Sequence, residues 1–321
     1  MRLLVTGGAG FIGSNFIRHI LKRYPAYKIV NWDKLTYAGN PENLRDVRDN
    51  KNYTFVKGDI CDRRLAERLL AKCDWLINFA AATHVDRSIQ DAGDFIKSNI
   101  QGVYNLLESA RKAKIKRFLQ ISTDEVYGSV EKGRSKENDP LFPNSPYSAS
   151  KAAADHLVRA YGVTYKLPVM ITRSSNNFGP YQYPEKVIPL FITNLLEGRQ
   201  IPLYGDGLNK RDWLFVQDNC RAIDTVLHKG KTGEIYNIGA GREIPNIVLT
   251  QKILKFTAMP QSRIQYVADR PGHDRRYALD VNKLKSLGWK QEFSFADALR
   301  LTIEWYKNNP DWWKKLKKPS S

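Results

Sequence analysis

A chain of 321 residues with 42% hydrophobic content can bury a sizeable core, as one large domain or two unequal ones. Its formal net charge of +18 admits anionic partners, but the basic clusters at 111–117 and 312–318 carry no nucleic-acid motif and read as a solvated helix end and a frayed terminus. No apolar run reaches membrane-span length, and neither the scattered Cys61, Cys73 and Cys220 nor the five histidines have disulfide-framework or metal-ligand spacing, so any cofactor is organic.

Residues 1–6 read as the start of a strand rather than a signal peptide, because a glycine loop follows at once. Leu3-Leu4-Val5 predicts that strand, and a helix is expected from about Phe11 to Arg23. Short apolar runs recur at Lys28–Trp32, Tyr53–Val56, Trp75–Phe79, Phe118–Ile121 and Val169–Thr172, with helices expected at 94–113 and 148–165. Strand and helix in alternation specify the α/β class: a Rossmann-type, doubly wound parallel sheet covered on both faces. From Pro180 onward, prolines and mixed elements loosen the pattern. The expected organisation is an NAD-binding domain over 1–177 and a smaller mixed α/β substrate domain over 178–321. Segments near 212–239, with Ile235–Ile238 among them, are expected to return to the main sheet.

Val5-Thr6-Gly7-Gly8-Ala9-Gly10-Phe11-Ile12-Gly13 joins the first strand to the first helix. Gly7, Gly10 and Gly13 have GxxGxxG spacing, and with Phe11 and Ile12 they would bring backbone N–H groups to a pyrophosphate at the positive end of the helix. Alone, such a trio marks no more than a tight turn. Here Asp33 closes the second strand twenty residues after Gly13, where a carboxylate accepts from both adenosine ribose hydroxyls and repels a 2′-phosphate. That favours NAD over NADP, although Lys34 argues weakly the other way; Leu35 and Thr36 complete the candidate loop. Asp59-Ile60 after the third strand is placed to reach the adenine. Ala80-Ala81-Ala82 after the fourth either pack beside the adenine and its ribose or serve close packing alone.

Tyr147 and Lys151 stand four residues apart near a helix start, so they share one face. An ammonium beside the phenol is expected to lower its pKa from about 10 towards neutral, letting tyrosine take a proton from a sugar hydroxyl while carbon gives hydride to nicotinamide. Thr123, Asp124 and Glu125 follow the fifth strand in STDEVYG, at the edge where α/β folds carry their chemistry.

With these blocks in place the chain resembles an extended short-chain dehydrogenase/reductase acting on nucleotide sugars. GGAGFIG, NFAA, HVDRS, STDEVYG, YSASK, RSSNNFGPYQ, LYGDGLNKRDW and RPGHDRRYA carry the resemblance across residues 5–278. Within that superfamily the match is to the dTDP-glucose 4,6-dehydratase family. Nucleotide-sugar 4-epimerases share the glycine loop and YxxxK but usually carry a small residue or alanine where this chain has Asp124-Glu125. The resemblance implies that Asp124 is a general acid, Glu125 a general base and Thr123 a hydrogen-bond partner of the C4 oxygen. C4 oxidation acidifies C5; Glu125 removes the C5 proton, protonated Asp124 assists loss of the C6 hydroxyl, and the stored hydride returns to C6. One carboxyl must be charged and the other neutral, as close like charges arrange. The competing reading makes Asp124 a turn cap and Glu125 a surface acid.

The family pattern further places Thr83, Asn176, Lys186 and Val187 on the substrate and Asn99 and Asn177 beside the cofactor. It sets Pro202, Leu203 and Tyr204 against the thymine, Arg211 on the diphosphate, and Asn246, Arg270 and His273 nearby. Each has a structural alternative: a helix cap for Asn99, ordinary turns for Asn176 and Asn177, a core aromatic for Tyr204, an ion pair with Asp212 for Arg211, a hydrogen-bonding support for His273. The resemblance implies tightly bound NAD, dTDP-glucose as substrate, a homodimer built on helices 94–113 and 148–165, and a cytoplasmic enzyme. Alternatives are a 4-epimerase, a UDP-glucuronate decarboxylase or a dehydratase of another nucleotide sugar; outside enzymes, an NAD sensor or a nucleic-acid-binding protein reusing the fold.

Overall fold

The computed structural model describes residues 1–269 and 273–317. Seven parallel strands form the main sheet: β1 (Arg2–Thr6), β2 (Lys28–Asp33), β3 (Tyr53–Lys57), β4 (Trp75–Asn78), β5 (Arg117–Thr123), β6 (Val169–Ser174) and, far along the chain, β10 (Ile235–Ile238). Their spatial order is β10-β6-β5-β4-β1-β2-β3. Chain order therefore reverses between β1 and β4, the switch point at which such sheets open a crevice beyond their carboxyl ends. A three-stranded sheet joins β7 (Asn176–Phe178), β9 (Lys210–Phe215) and β11 (Glu243–Pro245), and a two-stranded one joins β8 (Ile201–Tyr204) and β12 (Ile264–Val267).

Strand residues alternate between two hydrophobic clusters. Leu3, Val5, Ile77 and Leu119 pack with α1 (Phe11–Arg23) on one face, whereas Leu4, Leu76, Phe118 and Val169 pack on the other with α2 (Arg63–Leu70), α3 (Val103–Lys112) and α4 (Pro146–Tyr165). Burial on both faces is why these strands read as continuous apolar runs rather than as an alternating pattern. Each fully buried aliphatic side chain contributes about 1.5–3 kcal/mol, and truncating buried Phe118 to alanine would cost about 3–5 kcal/mol.

The helix expected over 94–113 is interrupted. A short turn at Gly93–Phe95 leads into a π-helical stretch, Ile96–Gly102, before α3 begins. This wider turn contains buried Asn99, whose amide bonds both the N–H and the carbonyl of Ala82. Helices α5 (Val187–Leu196), α6 (Val216–Lys229), α7 (Asn246–Thr257), α8 (Phe295–Asn308) and α9 (Pro310–Lys314) complete the larger elements. No helix among the described residues is long and apolar enough to cross a membrane.

Candidate active site

β5 ends at Thr123 and passes at once into a 3-10 turn, Asp124–Tyr127. The Thr123 hydroxyl caps that turn by accepting from the Glu125 N–H at 3.3 Å, and it donates to Asp124 Oδ1 at 3.2 Å. Asp124 is 3% exposed, and its Oδ2 has no partner among the described residues. Burial, reinforced by the neighbouring Glu125, pushes its carboxyl well above the usual carboxylate range, more than Arg211 offsets. Buried Asp124, with its raised carboxyl, and half-buried Glu125 therefore stand side by side in unequal surroundings, the asymmetry that an acid and a base need.

The start of α4 is held by a reciprocal cap. Ser145 Oγ accepts from the Ser148 N–H at 3.1 Å, Ser148 Oγ accepts from the Ser145 N–H at 3.0 Å, and Pro146 occupies the first turn. This places Tyr147 in the opening turn, lining the same cavity as Thr123, and buried Lys151 one turn on. Lys151 Nζ donates to the Ile121 carbonyl at 2.6 Å. Burial lowers this ammonium to about 8, and Asp155 opposes the shift. The phenol is not drawn towards neutral pH, as the spacing of Tyr147 and Lys151 suggested. Burial and then Glu125 and Asp124 push it up, because the strongest charges acting on it are negative and the lysine is engaged with a strand carbonyl.

A cavity of about 400 Å³ joins this cluster to the glycine loop. Gly7, Gly10, Phe11, Ile12 and Gly13 form one wall, Asp33, Lys34, Thr36, Asp59 and Ile60 the far end, and Ala80, Ala81, Ala82 and Thr83 the floor. Thr123, Asp124, Glu125, Tyr147, Lys151, Asn176, Asn177 and Lys186 line the chemical end. Gly7 has φ +68°, and a Cβ there would lie 2.5 Å from the Ala80 nitrogen, so β1 and β4 approach too closely for any side chain. At Gly10, by contrast, a Cβ would meet only the Gly7 carbonyl at 3.3 Å, so the bare position widens the cavity. Helix α1 begins there with no side-chain cap and no acid in its first turn, as an anion site requires. Asp33 holds the loop by accepting from the Ala9 N–H at 2.9 Å and the Leu35 N–H at 2.8 Å, and carboxylate lone pairs remain for a ribose. Lys34 Nζ lies 2.9 Å from Asp59. Buried acceptors without hydrogen-bond partners among the described residues belong to side chains that line the same space: Asp124 Oδ2, Asn176 Oδ1, Asn177 Oδ1 and Gln182 Oε1. These residues fit a dinucleotide with a polar ligand beside it.

Several expected residues lie outside the cavity lining. Leu35 (φ 57°) supports Asp33, and Asn99 supports Ala82 from behind while donating to Ser150 Oγ at 2.9 Å. Val187 opens α5 and packs on the core. Pro202, Leu203 and Tyr204 sit on β8, Leu203 fully buried and Tyr204 edge-on to His273 with ring centroids 6.2 Å apart. His273 meets Asn209 at 2.8 Å and Asp269 at 2.5 Å, and the Asn246 N–H donates to the Asn209 carbonyl at 3.0 Å. Arg211 is buried: it donates to the carbonyls of Lys210 and Asp274, both at 2.8 Å, and stacks 4.3 Å over Tyr277, in place of the suggested surface pair with Asp212. This second cluster adjoins the acid pair electrostatically, since Arg211 acts on Asp124, and Glu125 acts on Tyr277. Arg270 lies outside the described residues.

Tyr37, Tyr181, Tyr183 and Glu185 also line the cavity and were missed by sequence reasoning. Tyr37 donates to the Thr83 carbonyl at 3.1 Å under the Arg87 guanidinium. An aromatic-rich stretch directly after Asn176-Asn177 was the available signal for the other three. The basic run at 111–117 is laced to acids, with Arg111 on Glu108 at 3.1 Å, Lys112 on Glu67 at 2.8 Å and Lys116 on Asp74 at 2.8 Å. Among the described residues no group of three or more His, Cys, Asp or Glu is arranged to hold a metal.

Comparison with known proteins agrees with this fold. The family model described as GDP-mannose 4,6 dehydratase matches residues 4–302. A dTDP-glucose 4,6-dehydratase of Streptomyces niveus is 50% identical, over 99% of this chain and 96% of its own. The low-salt glycan biosynthesis protein Agl12 of Haloferax volcanii is 52% identical, over 95% and 98%. Among solved structures, DesIV, a dTDP-glucose 4,6-dehydratase from Streptomyces venezuelae with NAD bound, superposes with a TM-score of 0.97 at 51% identity, covering 99% of this chain and 100% of the other. The chain belongs to the GDP-mannose 4,6 dehydratase family, a nucleotide-sugar branch of the extended short-chain dehydrogenase/reductases in which the dTDP-glucose 4,6-dehydratases fall.

Proposed function

We propose that this chain is a dTDP-glucose 4,6-dehydratase, an NAD-dependent hydro-lyase that yields dTDP-4-keto-6-deoxyglucose and water. The observation that carries the reading is buried Asp124, its carboxyl pushed up by burial and by neighbouring Glu125, lining with Glu125 and Tyr147 one end of a cavity that runs to the glycine loop. Gly7, Gly10, Gly13 and the start of α1 would hold the pyrophosphate, Asp33 the adenosine ribose, and Asp59, Ile60 and Ala80–Ala82 the adenine; that all of them line one cavity supports the assignment. When bound, NAD supplies a hydride acceptor at C4, a donor to C6 and a positive charge to the cavity. Tyr147 would accept the C4 hydroxyl proton as phenolate, having released its own proton to solvent once bound NAD and Lys151 bring positive charge to the cavity, with Thr123 hydrogen-bonding that oxygen. Glu125 then removes the C5 proton and Asp124 protonates the departing C6 hydroxyl. The second cluster, Arg211, Asn246, His273 and Tyr204, takes the nucleoside diphosphate; its adjacency to the acid pair supports this placement.

Assignment of 1–177 to the cofactor and 178–321 to the substrate belongs to the same reading, supported by the two small sheets outside the main one and by the return of β10. A homodimer is supported by exposed apolar residues around α3 and α4: Ile96, Tyr104, Val163 and Tyr165. Cytoplasmic residence is supported by three free cysteines, and paired basic residues favour a solvated face over a nucleic-acid site. Turnover on dTDP-, UDP-, CDP- and GDP-glucose, read as keto-sugar absorbance in base, tests the function. A 4-keto-6-deoxy product from dTDP-glucose is expected; dTDP-galactose alone would refute it.

A further inference from the structure

The two walls of the cofactor cavity are tied together from outside by the C-terminal helices. Residues Tyr181, Gln182 and Tyr183 form one wall. Each is held by a different C-terminal residue: the Tyr181 ring lies 4.6 Å from Trp305 and 5.9 Å from Trp312, the Gln182 carbonyl accepts from Tyr306, and the Tyr183 hydroxyl donates to the Leu316 carbonyl at 3.2 Å. Tyr181 adopts φ 68°, a left-handed conformation unfavourable for a tyrosine and maintained by this packing together with the Arg18 guanidinium, stacked 4.0 Å from the centre of its ring.

Trp312 also reaches the opposite wall. Its indole N–H donates to Asn43 Oδ1 at 2.9 Å, Asn43 Nδ2 donates to the Ala9 carbonyl at 2.9 Å, and the Ala9 N–H donates to Asp33 Oδ2 at 2.9 Å. The path runs from the C-terminal end of the chain through buried Asn43 to the glycine loop and the ribose-binding acid. Arg18 closes the circuit by donating to the Asn43 carbonyl while stacking on Tyr181. One side chain therefore touches both the residue that shapes the glycine loop and the aromatic that forms the facing wall.

We propose that Trp312 is a positioning residue for the dinucleotide: it clasps the glycine loop to the Tyr181–Tyr183 wall so that NAD is retained between turnovers. The inference rests on the NAD-dependent reading of the cavity. It concerns retention, which matters to an enzyme whose cofactor is restored within each cycle and has no need to leave.

The test compares the parent with Trp312→Phe, which keeps the ring against Tyr181 but loses the N–H donor, and with Trp312→Ala, which loses both. NAD dissociation constants are measured by titration calorimetry on cofactor-stripped protein, alongside thermal melts, KM for dTDP-glucose and kcat at saturating NAD. Trp312→Phe is expected to bind NAD about fivefold to tenfold more weakly, as loss of one hydrogen bond predicts, with Trp312→Ala weaker still. ADP-ribose should weaken in parallel, because the path ends at the loop and the ribose acid, while KM and kcat stay within about twofold. Trp312→Phe carries the test if Trp312→Ala fails to fold. A folded Trp312→Phe that binds NAD within about twofold of the parent would overturn this inference alone. A parent that binds no NAD would overturn the reading beneath it as well.

Discussion

The Arg173 guanidinium lies 2.9 Å from the Asp155 carboxylate with both side chains buried, one helical turn beyond Lys151 on α4. Tyr147, Lys151 and Asp155 therefore form a stripe at i, i+4 and i+8, and the last member acts on the charge of the second. Burial depresses Lys151 to about 8, and the Asp155 charge limits the fall. Arg173 is in turn hydrogen-bonded to Tyr127, so Asp155 is the member of the network nearest the site that titration of Lys151 can sense.

Asp155→Asn should consequently lower the Lys151 pKa further. If the oxidation step needs the ammonium, the rate of the parent falls as pH rises through about 8. The variant's falling limb should lie at lower pH, with a rate at pH 8 about threefold to tenfold below the parent. The asparagine oxygen still accepts from Arg173, but the guanidinium loses its counter-charge, at about 3 kcal/mol of stability. A pH–rate profile separates the two effects, because a stability loss alone would not move the limb.

Asp124 ties stability to pH. Its folded-state pKa is raised above the unfolded value, so the native state holds a proton that the unfolded chain releases. The associated stability is fully present below the unfolded pKa, near 3.8, and is lost as pH rises towards and through the folded value. Asp124→Asn removes that dependence. Calorimetric melting at pH 4, 6 and 8 should show the variant gaining on the parent with each step upward, while kcat falls by about a hundredfold or more for loss of the acid. A variant that loses ground as pH rises would mean that Asp124 is ionised in the fold.

Glu125→Gln keeps the side chain's size and the Thr123 cap, which is made by the Glu125 main-chain N–H. NAD and dTDP-glucose should bind within about threefold of the parent, while kcat drops by about a hundredfold to ten-thousandfold. Solvent deuterium should no longer enter C5. Undiminished exchange would transfer the base role to another group.

The parts of the molecule written in local sequence were readable in advance. The runs at Leu3, Lys28, Trp75, Phe118 and Val169 all became strands of the main sheet, and Ile235–Ile238 joined it as its last strand, because buried parallel strands announce themselves as short apolar segments. Gly7, Asp33, Asp124, Tyr147 and Lys151 converge because each sits at a strand end or first helical turn that the fold turns towards one crevice. What local pattern could not supply was set by contacts across long separations. Tyr181 and Tyr183 become cavity wall through residues 305–316, and Arg211 turns from its neighbour Asp212 to the carbonyl of Asp274. Nor does an i, i+4 pair reveal direction of charge: Lys151 reached Ile121, and the acids dominated Tyr147.

Tyr147→Phe follows from that last point. With burial and two acids pushing the phenol up, Tyr147 does not ionise of its own accord near neutral pH, so it has to release its own proton to solvent as positive charge arrives in the cavity before it can accept the C4 hydroxyl proton. The phenylalanine ring preserves the edge contact with Phe95, whose centroid lies 6.2 Å away, so the fold and the capped start of α4 should be retained. What is lost is the phenol oxygen in the cavity that Thr123 also lines. Substrate should still bind, but reduced nicotinamide should not appear in a stopped-flow trace, and kcat should fall by about a hundredfold to ten-thousandfold. A rapid reduction transient in the variant would assign the first proton to Glu125 or to the Thr123 hydroxyl, and Tyr147 would then be a positioning group for Thr123 rather than the base of the oxidation.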